Sequence, residues 1–354
     1  MRTERRRAGT RAKCFLLLAS LAFAVLAIEL FLQAGYFLQH RANPSRSQLH
    51  DEWGWRSTPD LETVYMTRGY GLIEYSTDAD GFRVMGDPDS NRTKILVIGD
   101  SFTQAYQVSD GKAYYDFVVR NDDRVELFAY GVGGYATLQQ TLVLRHFLER
   151  IDPDIILWQF HPNDLIGSSV RLESLSGEHN NHMVRPYLEG ASVVRRHPDG
   201  LLGVAAVRSV LFRRLAVLRS SIKKRLGTIE ERLHPGHPDL EAGLEAMRAT
   251  IAGLMAEETD RSFVAFQVPT REAKAYEHYV FSRICELERL RCVPGLEQAL
   301  DRARVNGLTI DGGDDPHWNQ TGHETAGRVI LDYLQSTGLL NKNDSAVPTT
   351  PPES

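Results

Sequence analysis

What most restricts this chain is an alternation of short apolar runs with amphipathic stretches that begins at Thr93. Ile95-Leu96-Val97-Ile98 is wholly apolar and largely β-branched, the character of a strand covered on both faces. Val125–Tyr130, Ile155–Phe160, Ser262–Val268 and Leu308–Ile310 have the same character. Between them, Thr137–Ile151 sets Leu144, Phe147, Leu148 and Ile151 on one face. Residues 271–290 and 321–335 also read as helical, the latter opened by a capping box from Thr321 to Glu324. Strands alternating with helices predict an α/β fold, a three-layer sandwich around a mainly parallel sheet.

The alternation is interrupted between about residues 166 and 255, which predicts an insertion. It contains a candidate helix, Val204–Leu226, with Leu211, Leu215, Leu218 and Ile222 on one stripe. Arg208, Arg213, Arg214, Arg219, Lys223, Lys224 and Arg225 occupy the other faces. It reads as a solvated helix on an insertion, with a lid or a face for anionic lipid or substrate as the alternative. Residues 39–92 form a turn-rich lead-in with short extended candidates such as Leu61–Met66. Residues 339–354, rich in proline, serine and threonine, are expected to be a disordered tail.

Ahead of all this, residues 1–13 carry Arg2, Arg5, Arg6, Arg7, Arg11 and Lys13 against Glu4 alone, a local charge of +5 in a chain whose net charge is −5. The run Cys14–Leu38 then reads almost without polar residues apart from Ser20, Glu29 and Gln33. At about 1.5 Å per residue it exceeds a hydrocarbon core of roughly 30 Å. Basic residues before the run favour a cytoplasmic head, a single-pass membrane anchor over 14–38 and an extracytoplasmic remainder. Val25-Leu26-Ala27 offers a cleavage site, so a removed signal peptide is the rival reading. The acidic body argues against a nucleic-acid partner. Cys285 and Cys292 either pair in a disulfide, which requires the helix between them to end, or stay as buried thiols.

Chemistry gathers at the strand ends. Gly99-Asp100-Ser101-Phe102 places a serine past the carboxyl end of the first buried run, the edge where open α/β sheets bind ligands. Serine is a poor nucleophile without a base. After the second run, Gly131-Val132-Gly133-Gly134-Tyr135 can point backbone N–H groups into a site, and after the third, His161-Pro162-Asn163-Asp164 offers an amide donor. Before the last helix, Asp314-Asp315-Pro316-His317-Trp318 sets carboxylates beside a histidine. His179/His182 and His234/His237 lack converging partners, so no metal is expected. The glycine run lacks the Gly-x-Gly-x-x-Gly spacing of a dinucleotide site, and no cofactor is implied.

These four segments, in this order, resemble the blocks of the SGNH/GDSL hydrolase family, over about residues 93–338. Gly54-Trp55-Arg56 and Thr77–Arg83 resemble the lead-in of its membrane-anchored members. The resemblance implies a flavodoxin-like sheet with Ser101 as nucleophile. It implies Ser101, Gly134 and Asn163 as oxyanion donors, and His317 as base oriented by Asp314. Asp315 and Gly133 are the one-residue rivals of Asp314 and Gly134. Asp100 reads as a hydrogen-bonding brace and His323 as a helix-start residue. Trp318 stands where many members carry proline, as in polysaccharide O-acetylation proteins. The resemblance implies a serine esterase or deacylase with an acylated glycan or lipid as substrate. An O-acyltransferase using the same residues, or a non-catalytic glycan-binding member, are the alternatives.

Overall fold

A computed structural model describes residues 2–42, 46–83, 86–177, 183–190, 192–271 and 274–341. Residues 342–354, most of the expected tail, and His179 and His182 lie outside the described residues; Leu340, within the expected tail, is packed and buried.

The core is a five-stranded sheet of β1 (Thr93–Gly99), β2 (Val125–Gly131), β3 (Ile155–Phe160), β4 (Ser262–Gln267) and β5 (Leu290–Cys292). Every pairing is parallel and the order is 2-1-3-4-5, the flavodoxin-like winding. Two apolar clusters cover its faces. One, with Leu96, Ile98, Ile156 and Trp158, meets helix Thr137–Ile151; the other, with Ile95, Val97, Leu157 and Phe266, meets helix Gln320–Ser336. Strands β1 to β4 therefore bury both faces, which is why they read as unbroken apolar runs.

The fifth strand is not Leu308–Ile310. That segment pairs with no strand of the sheet: Ile310 is buried, its carbonyl accepts the Asn319 N–H at 2.9 Å, and the next residue, Asp311, makes a single bridge to Trp318. The edge position goes to Leu290–Cys292, inside the stretch read as helix 271–290. That helix, Ala275–Ile284, ends six residues early, and Cys285 and Cys292 pair in a disulfide with Cα atoms 5.9 Å apart. The last helix is capped by Asn319, whose side chain accepts from the Gly322 N–H at 3.1 Å, and not by Thr321.

Part of the stretch 166–255 packs into the core of the sheet. Helix Pro238–Glu257 falls almost wholly in that range, and its Leu240, Leu244, Met247, Ile251 and Leu254 bury into the sheet's own core. The same stretch also holds a hairpin, Arg185–Glu189 with Ser192–Arg196, and the helices Gly200–Arg208 and Val210–Leu226. The single helix expected over 204–226 is broken at Ser209, whose hydroxyl accepts from the Phe212 N–H and starts the second helix.

At the N-terminus, Arg2–Ala42 is one helix. Its section Ala12–Gln39, 28 residues that include an 18-residue stretch of mean hydropathy 2.6, is by length and composition apolar enough to cross a membrane. Two hairpins follow, Ser47–His50 with Gly54–Ser57 and Glu62–Thr67 with Gly71–Ser76. They lie over the end of the sheet where β1 and β2 finish, with Trp53, Trp55 and Phe82 buried in the main core.

Candidate active site

The site lies beyond the carboxyl ends of β1, β2 and β3, where the strand order reverses direction between β1 and β3. Strand β1 ends at Gly99, and a short helical turn, Ser101–Gln104, begins at once. Gly99 is required for closeness and not for a special backbone angle: a Cβ there would strike the Gln159 and Thr103 side chains. Asp100, fully buried, caps the turn by accepting from the Phe102 N–H at 3.0 Å, and its own N–H donates to Gln159 Oε1 at 2.9 Å. These bonds fix the turn that presents Ser101.

His317 Nε2 lies 2.7 Å from Ser101 Oγ, and His317 Nδ1 lies 2.6 Å from Asp315 Oδ1. The same Asp315 oxygen accepts the His317 backbone N–H at 3.1 Å, so one carboxylate fixes both ring and chain. The bonds from His317 hold the Asp315 carboxyl below its usual range, against partial burial. Asp314, expected in this role, is displaced from it. Its side chain is 91% exposed and faces Arg68 at 3.9 Å. The physical reason is local: a carboxylate two residues before a histidine closes a tight turn onto that residue's own N–H, and Asp315 occupies that position. Tyr70 OH donates to the carbonyls of His317 and Asp315 and pins the loop from the lead-in side.

The glycine loop after β2 is a tight turn in which the Tyr135 N–H donates to the Val132 carbonyl at 3.0 Å. Gly134 takes φ +78° at its third position, which favours glycine. The Gly133 N–H donates to Gln104 Oε1 at 2.9 Å, so that donor is already used. No described residue accepts from the N–H of Gly134 or of Ser101. Both loop carbonyls are held: Trp55 Nε1 donates to Gly133 O at 3.0 Å, and Arg185 Nη2 to Gly134 O at 2.6 Å. Arg185 is itself buried against Glu173 at 3.2 Å. Trp55, from residues 39–92, and Arg185, from the hairpin of Arg185–Glu189 with Ser192–Arg196, thus hold the glycine loop from outside the four motif segments. Their signal was faint: Trp55 stood in the Gly-Trp-Arg segment, while a lone arginine in an insertion carries none.

Asn163, at the start of the turn after β3, donates Nδ2 to Asp100 Oδ2 at 2.9 Å and keeps its second amide proton. Its neighbour Asp164 is wholly buried. Burial, then the nearby Asp100 charge, push its carboxyl well above the usual range, while Gln140 Nε2 and the His161 N–H donate to it. Ser101, Gly133 and His317 line one cleft of about 890 Å³, together with Trp55, Tyr65 and Gln104. Asn163 and Asp314 line an adjoining cavity of about 390 Å³, bordered by Phe102 and His161. Phe102 lies between the His161 and His317 rings, with centroids at 5.4 and 4.8 Å.

His323 is buried and accepts the Tyr114 N–H through Nδ1. Burial lowers its pKa to about 3, so it stays neutral as a packing residue. Among the described residues no group of three or more His, Cys, Asp or Glu side chains is arranged to hold a metal. His234 and His237 touch only each other as rings, 5.7 Å apart, and His237 caps helix Pro238–Glu257.

No protein-family model and no curated protein matches the chain. Among solved structures, the chain is similar to a member of the lipolytic protein G-D-S-L family from Veillonella parvula, at 11% identity and TM-score 0.40, over 68% of this chain and 98% of that one. It is similar to a psychrotrophic esterase from a Pseudoalteromonas species, at 13% identity and TM-score 0.40, over 69% and 98%. It is also similar to an acetylxylan esterase from Geobacillus stearothermophilus, at 13% identity and TM-score 0.39, over 68% and 93%.

Proposed function

We propose that this chain is a serine esterase of the SGNH type. In this reading it is held in a membrane by Ala12–Gln39 and removes acyl groups from an O-acylated glycan or lipid outside the cytoplasm. The observation that carries the reading is the continuous relay from Ser101 Oγ through the His317 ring to Asp315. The basic head before the span supports the orientation, as does the Cys285–Cys292 disulfide, which persists in oxidising compartments.

In the reaction, His317 Nε2 takes the Ser101 proton while Oγ attacks the ester carbonyl. Asp315 holds the ring with Nε2 toward the serine and stabilises the imidazolium as it forms. The N–H groups of Ser101 and Gly134 and the remaining amide proton of Asn163 bind the oxyanion. Gly133 drops out because its N–H is spent on Gln104. His317 then protonates the departing alkoxide, leaving Ser101 acylated. Water, deprotonated by the same histidine, attacks the acyl-enzyme and releases the carboxylic acid and free Ser101. The test is hydrolysis of a simple acetyl ester by the full chain in detergent. Turnover that is lost in Ser101→Ala supports the reading, and equal turnover by both proteins refutes it.

A further inference from the structure

Helix Val210–Leu226 is mounted with its amphipathic character reversed. Its protein-facing side carries Ser220, which is buried, and Lys223, whose ammonium group reaches the Ser174 carbonyl and Asp199. Its apolar stripe points outward: Leu215 is 50% exposed, Leu218 58%, Ile222 49% and Leu226 82%. The preceding helix adds Leu201 at 89% and Leu202 at 60%. A solvated surface helix packs its apolar stripe inward, and a contiguous outward stripe marks a surface with a partner.

Two observations name that partner. The junction of the two helices is clamped to the apolar N-terminal helix. Glu29, the one acid within Ala12–Gln39, accepts from Ser209 Oγ at 2.8 Å and from the Val210 and Leu211 N–H groups at 3.0 Å each. Gln33 Nε2 donates to the Arg208 carbonyl at 3.2 Å, and the Arg213 guanidinium lies over the Tyr36 ring. The outward stripe is thus continuous with the candidate span. At 3.6 residues per turn Arg214 and Arg225 fall along one border of the stripe, and neither is paired with a described acid, unlike Arg219, which holds Asp199.

We propose that Gly200–Arg208 and Val210–Leu226 lie in the interfacial layer of an anionic bilayer beside the span. The apolar stripe sits at the acyl boundary, and Arg214 and Arg225 sit among the headgroups. Tyr36, Val207 and Arg213 also line the cleft that holds Ser101 and His317, so the cleft opens at headgroup level. The proposal rests on the reading of Ala12–Gln39 as a span.

The test uses the full chain with Cys14→Ser, reconstituted in vesicles of phosphatidylcholine with phosphatidylglycerol. Single cysteines at Phe23, Leu218, Ile222 and Arg302 carry an environment-sensitive fluorophore. Labels at 218 and 222 are expected to be quenched by lipid-borne nitroxide and shielded from aqueous iodide, with the reverse at 302. Shielding is expected to weaken when phosphatidylcholine alone is used, or when Arg214→Glu and Arg225→Glu are introduced. Iodide access at 218 equal to that at 302, or shielding without lipid quenching, overturns the proposal, the second result pointing to a protein cover. Shielding indifferent to lipid charge overturns the anionic assignment. A label at 23 that lipid nitroxide does not reach overturns the span itself, which separates that failure from failure of the interfacial helices.

Discussion

Asp315 Oδ1 lies 2.6 Å from His317 Nδ1, while the adjacent Asp314 points into solvent. Two neighbouring carboxylates of the same chemistry are therefore separated by geometry alone. Asp315→Asn is expected to lower kcat by about 10⁴, because an amide cannot hold the correct tautomer or stabilise the imidazolium. Asp314→Ala, which removes only a solvent-screened contact with Arg68, is expected to leave kcat unchanged. Steady-state rates of the two variants on one ester decide it, and equal losses would contradict the assignment.

Asn163 has one amide proton on Asp100 and one to give. Asn163→Ala is expected to reduce kcat by roughly 10²–10³, the usual consequence of losing an oxyanion donor, with KM little changed. A loss confined to KM would make Asn163 a substrate-binding or bracing residue.

His323 sets a slope of stability with pH. Burial holds its native pKa at about 3, against 6.5 when free. As pH falls below 6.5 the unfolded chain takes up a proton here that the native chain refuses until about 3. The contribution is therefore complete above the free value and is lost as the pH falls across that window, by up to about 1.4 kcal/mol per pH unit. Urea unfolding of the wild type and His323→Asn across this range is expected to show a shallower acid limb for the variant. Parallel limbs would contradict the burial argument.

The Cys285–Cys292 disulfide closes a short loop that ends on edge strand β5. Replacing both cysteines with serine is expected to cost about 2–3 kcal/mol, read as a lower Tm. An unchanged Tm would mean that the edge strand holds without the bond.

The parts of the fold visible in the sequence are those where burial on both faces leaves a continuous mark. Strands β1 to β4 announced themselves as apolar runs, and helix Thr137–Ile151 by its period. Strand β5 did not: three residues at a sheet edge carry too little pattern, and the helix before it ends without a proline or glycine. The reversed helix Val210–Leu226 had a legible stripe, but its direction is set by Glu29 at Ser209, a contact spanning 180 residues of sequence. At the site, the four segments marked the loops that carry Ser101, the glycine turn, Asn163 and His317, of which Ser101 and His317 meet directly. The choice between Asp314 and Asp315 depends on which side of one turn each side chain leaves, and spacing does not record that. Gln104, Trp55 and Arg185 brace the glycine loop from three separate parts of the chain, beyond the reach of any local motif.

The central claim is that Ser101 is a nucleophile activated by His317. The most direct measurement is reaction of the full chain with a fluorophosphonate probe, with the adduct located by peptide mass, alongside His317→Ala. A single adduct on Ser101 that disappears in the variant is the predicted result. A folded protein with no adduct, or one that labels equally well without His317, would contradict the account.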